Sequence, residues 1–132
     1  MTYSTTGVAA YRSEEAQAAA FADSHALVSM LLNGAVERVV QARVAMERDM
    51  TARKGERIGK AIAIIDSLRA SLDTEQGGDV AANLFSLYAY MLERLLHANL
   101  HDDSEALNEV AALLREIRAG WDGIAGTTAA SA

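Results

Sequence analysis

The chain has 132 residues, 51% apolar and 23% charged, with a net charge of −6 and neither Pro nor Cys. It is long and apolar enough for one domain with its own core, and without Cys no disulfide, thiol nucleophile or zinc–thiolate site can form. The 12 basic residues read as scattered, with no clustered basic face, which argues against a nucleic-acid ligand. The longest strongly apolar run, Ala26 to Leu32, is interrupted by Ser29 and is too short to insert in a membrane. The N-terminus lacks both the basic and the apolar regions of a secretion signal, so a cytoplasmic location is expected.

In chain order, residues 1–23 are rich in Thr, Ser and Ala and predict a separate N-terminal segment with a short helix at Ser13–Ala20. Asp23 or Ser24 suits the N-cap of a first long helix reaching about Met50. Its apolar positions, among them Leu27, Leu31, Leu32, Val36, Val39, Val40 and Met46, make a broad band. "TARKGER" reads as a polar break. A second helix then carries Ile58, Ala61, Ile62, Ile65, Leu68 and Leu72 on one face.

"DTEQGGD" is the next turn: Gly77 and Gly78 permit positive φ, and Asp79 can cap the third helix. That helix bears one stripe at Leu84, Leu87, Tyr88, Met91, Leu95 and Ala98, and a second at Phe85, Leu92 and Leu96. After "HDDSEA", where Asp102 and Glu105 resemble a capping box, a fourth helix shows Leu107, Val110, Leu114, Ile117 and Trp121 at alternating three- and four-residue steps, a narrow seam. Residues 122–132 show no periodicity and predict a disordered tail. The expected fold is therefore all-α, an antiparallel up-down four-helix bundle over 24–121 with a short N-terminal capping segment.

A bundle uses one apolar face per helix, yet helices one and three carry more. The stretches "SHALVSMLLNGAVERV", "KGERIGKAIAIIDSLRASLD", "GGDVAANLFSLYAYMLERLLHANL" and "LNEVAALLREIRAGW" occur in an order and at spacings that resemble the flagellin-specific export chaperone family, FliS. The resemblance covers roughly residues 8–121. Its most specific parts are Leu72-Asp73, Gly77-Gly78, Asn83-Leu84, Leu87-Tyr88, Tyr90-Met91, Arg94-Leu95 and Ala98-Asn99. The chain departs from the family at Ser24, where Pro is usual and Ser substitutes by capping, and at Ala89, where an acid is usual.

The resemblance implies a cytoplasmic chaperone that binds the disordered C-terminal segment of flagellin, prevents its premature polymerisation and delivers it to the flagellar type III export gate. Its implied partners are that segment, the cytoplasmic domain of an export-gate membrane protein, and flagellar regulators. The surplus stripes would then be a client surface, with Tyr11, Leu84, Tyr88, Met91, Leu92 and Leu95 as candidate contacts. Val8, Tyr11 and Phe21 would be apolar plugs of an N-terminal segment lying over that surface.

Other readings of the same residues are structural or catalytic. Helix three could simply be a wholly buried central helix, and Trp121, at the end of the seam, is assigned to the core. His97 and His101 have a metal-ligand spacing but lack a third ligand. Glu93 lies four residues before His97, not in the Glu-x-x-His register of di-iron bundles. No nucleophile, base and orienting group stand together. No catalytic, cofactor or metal site is therefore assigned, and the chain is not read as an enzyme. The alternative is a histidine phosphotransfer or other regulatory four-helix bundle, with His25 or His97 as the phosphorylated residue.

Overall fold

The structure is a computed structural model that describes the backbone of residues 2–131 and the side chains of residues 8, 9, 12–16, 19, 23–73, 75 and 77–124. Four helices follow one another: α1 (Thr2–Glu47), α2 (Thr51–Ala70), α3 (Thr74–His101) and α4 (Ser104–Ser131). Among the described residues there is no strand. α1 packs against α2 and α4, α3 packs against the same two, and the diagonal pairs do not touch. Turns of two or three residues make sequential helices antiparallel, so the bundle is up-down-up-down.

The core follows from small residues alternating with large ones. Ala35, Ala42, Ala45, Ala61, Ala98, Ala106 and Ala111 are buried, and between them stand Leu32, Val39, Ile58, Ile65, Leu68, Met91, Leu95, Leu107, Val110 and Leu114. Alanine lets backbones approach, and the large side chains fill the space on either side. Gly34 lies beside Ile64, whose Cδ1 is 3.5 Å from where a Cβ would stand.

α1 is one helix of 46 residues, about 69 Å at 1.5 Å per residue. α2, with 20 residues, spans only about 30 Å. The segment 1–23 is thus continuous with α1. No Pro interrupts it, and alanine-rich sequence continues a helix at little cost. The described side chains of this segment, including Val8, are exposed. The plug positions Tyr11 and Phe21 lie outside the described side chains. α4 likewise continues through the region expected as a tail, as far as Ser131.

The turns differ in detail from the sequence expectation. α1 ends at Glu47, and Asp49 adopts φ 58°. Its N–H bonds to Met46 O at 3.2 Å and that of Met50 to Ala45 O at 2.8 Å. This is a Schellman ending with Asp in the usual glycine position. The reversal is complete by Thr51, so "TARKGER" is the first part of α2 and not a break.

The α3–α4 turn repeats the device. Asp102 has φ 51°, and the N–H of Asp103 bonds to Ala98 O at 3.2 Å. The cap of α4 is consequently one residue later than the Asp102–Glu105 pattern predicts. Asp103 Oδ1 accepts the N–H groups of Glu105 (3.1 Å) and Ala106 (3.2 Å). Those bonds, that of Ala106 foremost, hold its carboxyl below the usual carboxylate range. Asp102 is freed for a different partner: its Oδ1 lies 2.5 Å from Nζ of buried Lys54, which also donates to Asn99 O at 3.1 Å.

At the other end, α3 is kinked at Gly78, with φ 55° and ψ −133°. That is the positive-φ residue expected in this turn, in a region open only to glycine. Gly77 is constrained differently, since a Cβ there would stand 2.6 Å from the Ala81 Cβ. The carboxylate that caps the start of α3 belongs to Asp73, which accepts the Glu75 N–H at 3.1 Å. Asp79, the expected cap, instead follows the kink and is exposed.

Candidate functional site: an apolar groove at the α2–α3 end

Beside the kink at Gly78, a groove of about 520 Å³ lies where all four helices converge. α1 lines it with Leu27 and Val28, α2 with Leu68, the α2–α3 turn with Leu72, α3 with Val80 and Leu84, and α4 with Trp121. Among the described residues, Asp73 is the only carboxylate in its lining. Leu27 is 51% exposed and Val80 70%, so the groove presents uncovered apolar surface to water. That volume falls within the range of ligand sites, and its apolar walls suit side chains of a helix or an extended peptide.

One wall is fixed by a reciprocal clamp. The His25 and Trp121 rings stack with centroids 4.5 Å apart and planes 8° from parallel. Trp121 Nε1–H donates to His25 O at 3.0 Å, while His25 Nε2 lies 2.9 Å from Trp121 O. A carbonyl only accepts, so this second bond requires a proton on Nε2. Nearby, Arg118 donates to Asn33 Oδ1 at 3.1 Å, a second tie between α1 and α4.

The candidate contacts on α3 separate into two groups. Met91 and Leu95 are fully buried and Tyr88 is 3% exposed, so these three do not present the open client surface expected of them. Their stripe faces α2 and α4, and packing there takes the whole side chain. Tyr88 still reaches the groove from below, and burial raises its phenol pKa. Leu84 is half-buried in the groove wall, and Leu92 is half-buried against the core. Tyr11 lies outside the described side chains.

The outward stripe of α3 is the second one. Phe85, Leu96 and Leu100 are exposed, with the Arg69 guanidinium 5.5 Å from the Phe85 ring centre. Leu27, Leu72 and Val80 were missed as site residues. Leu27 falls within the broad apolar band of the first helix, Leu72 on the single face of the second, and Val80 precedes the clear periodicity of the third. Trp121, assigned to the core, is both half-buried and part of the groove lining.

The histidines on α3 make no metal centre. The rings of His97 and His101 are 4.6 Å apart and tilted, and His97 Nε2 lies 3.2 Å from Asp103 Oδ2. Among the described residues no group of three side chains could hold a metal ion, and no helix is long and apolar enough to cross a membrane.

The family described as flagellar protein FliS matches residues 7–128. The chain belongs to the FliS family. It is 52% identical over 103 residues to flagellar secretion chaperone FliSB of Pseudomonas aeruginosa, covering 78% of this chain and 82% of the relative. It is 44% identical to flagellar secretion chaperone FliS of Salmonella typhimurium over 121 residues, 90% of each chain. The protein of the same name from Escherichia coli is 40% identical over 121 residues, 90% of this chain and 89% of the relative.

Proposed function

We propose that this chain is a cytoplasmic flagellar secretion chaperone that binds the disordered C-terminal segment of flagellin and keeps it from polymerising. It then delivers the segment to the export gate through the cytoplasmic domain of a gate membrane protein. The observation that carries this reading is the uncovered apolar groove, which no described side chain fills. An amphipathic segment that folds as it binds would bury Leu27, Val80 and Leu84, with Tyr88 as floor. The half-buried Leu92 extends the contact along α3, and Met91 and Leu95 act only by holding the helix in place. Tyr11 contributes to client affinity or to the handover. Binding is stoichiometric and without turnover.

Calorimetry with a peptide of flagellin's terminal segment tests the proposal. One site per chain and a large negative heat-capacity change are expected, the mark of apolar burial coupled to folding. Leu27→Glu and Val80→Glu place a charge in the groove at exposed positions. Each should weaken binding about tenfold or more while leaving the melting temperature near that of the parent. Full affinity in both folded variants would remove the groove from the client site. Phosphotransfer is less well supported, since His25 stacks on Trp121 with Nε2 engaged by a carbonyl.

A further inference from the structure

The basic residues are less scattered than they read along the chain. Residues 37–69 hold eight of the twelve basic side chains against five of the eighteen acidic ones, a local charge of +3. The remainder holds four basic against thirteen acidic, a charge of −9. This basic stretch is the α1–α2 hairpin. Most of its acids are already used: Glu37 pairs with Arg38, Glu47 with Arg43, Glu56 with Lys60 and Asp66 with Arg69. Among the described residues, the side chains of Arg48, Arg53 and Arg57 make no ion pair or hydrogen bond.

Two of these arginines, Arg48 and Arg53, line a second cavity, and Arg57 lies one helical turn beyond Arg53. The cavity has a volume of about 330 Å³ and a floor of Val40, Val44, Ala45 and Met50, with exposed Arg48 and Arg53 at its rim. The antiparallel register that sets Gly34 against Ile64 brings Gln41 opposite Arg57 and Ala45 opposite Arg53. Gln41, which lines the cavity, has a buried Oε1 with no partner, and Arg57 has a buried Nε with none. An apolar floor ringed by uncommitted guanidinium groups has a definite complement: an apolar side chain flanked by carboxylates.

We propose that this outer α1–α2 face docks an acidic amphipathic segment of a partner protein, at a site separate from the groove. The segment seats one or two apolar side chains on Val44 and Met50. Its carboxylates bond the Arg48 and Arg53 guanidinium groups, in the planar two-point geometry that favours arginine over lysine. Because the groove takes Ser24 to Leu32 of α1 and the far end of α2, and shares no lining residue with this cavity, a client there and a partner here are bound together.

The test uses the full chain, isotopically labelled for amide NMR, and four probes. These are a capped 14-residue helical peptide with two leucines one turn apart flanked by glutamates, the same peptide with lysines for glutamates, a single-stranded DNA oligomer, and phosphatidylglycerol vesicles. The glutamate peptide is expected to shift amides of residues 40–57 saturably and to leave the groove unperturbed. Arg48→Glu with Arg53→Glu should raise its Kd at least tenfold, while flagellin-segment binding stays as in the parent. Arg53→Gln alone should give a smaller loss in the same direction. Raised salt should weaken this peptide and spare the flagellin segment. Absence of saturation by about 1 mM peptide, equal binding of the lysine peptide, or shifts centred on the groove would overturn the proposal. Tighter binding of DNA or vesicles through the same arginines would overturn it too.

Discussion

At the α2–α3 end of the bundle the chain turns through Gly77 and Gly78 and leaves Leu27 and Val80 in water. At the opposite end it turns twice through aspartates in the left-handed region and buries a lysine between them. The second end is closed by polar bonds: Lys54 ties α2 to the end of α3, and Asp103 caps α4. The first is shaped by backbone conformation and by one stacked pair, and its apolar walls stay apart. Covering an exposed Leu or Val side chain is worth about 1.5–3 kcal/mol. A fold that leaves two such side chains uncovered forgoes that stabilisation and retains it for a ligand.

The largest effect expected belongs to neither end. Leu95→Ala should lower stability by about 2–5 kcal/mol through the cavity it leaves, measured by urea unfolding. A loss below about 1 kcal/mol would show that the inner stripe of α3 is looser than its burial implies. At the closed end, Asp102→Ala strands the buried Lys54 charge with one carbonyl partner. Because Asp102 is itself exposed, the cost should be about 1–3 kcal/mol, below that of a fully buried pair. A neutral result would mean that Lys54 finds water or another partner.

At the open end, Gly78→Val should cost about 1 kcal/mol or more, since φ 55°, ψ −133° excludes a β-branched residue. It should also alter client binding, because the neighbouring Gly77 and Val80 line the groove. Unchanged melting would separate the groove from the glycine. Asp49→Gly is the smallest change and the one with opposite sign. It relieves a left-handed Asp and should stabilise by a few tenths to about 1 kcal/mol, read as a higher melting temperature.

The closed end should also respond to acid. The folded-state pKa of Asp103 is lowered, first by the Ala106 N–H bond. Its contribution to stability is present above the ordinary carboxylate pKa and is lost as pH falls through the lower folded value. Stability measured across that acid range should therefore fall less steeply in Asp103→Asn, which keeps a capping oxygen without the charge.

The helices and the two later turns were legible because apolar periodicity and Gly or Asp punctuation survive in sequence, whereas the first turn closes at 48–50, before the polar stretch expected to hold it. The atomic content of the turns was less so. Two adjacent aspartates at 102 and 103 look equivalent in sequence, but one ends α3 and the other begins α4, a division set by the backbone bonds each can accept. The inner and outer stripes of α3 were likewise indistinguishable by spacing. Tyr88, Met91 and Leu95 turn inward because α3 packs against α2 and α4, Leu84 is half-buried, and Phe85 and Leu96 are left outside. The groove was hidden for a related reason: its walls come from distant segments of all four helices, and the spacing within one helix does not show which of them meet.

The single tryptophan of the chain stands in the groove wall, stacked on a histidine and bonded through its indole N–H. An indole so placed is a built-in optical gauge. A client side chain that enters the groove changes the solvation of the ring, and a shift of the His25–Trp121 stack changes its quenching. Emission from Trp121 therefore reports occupancy of this end of the bundle without any attached label, on the timescale of mixing, while the remote α1–α2 face stays dark.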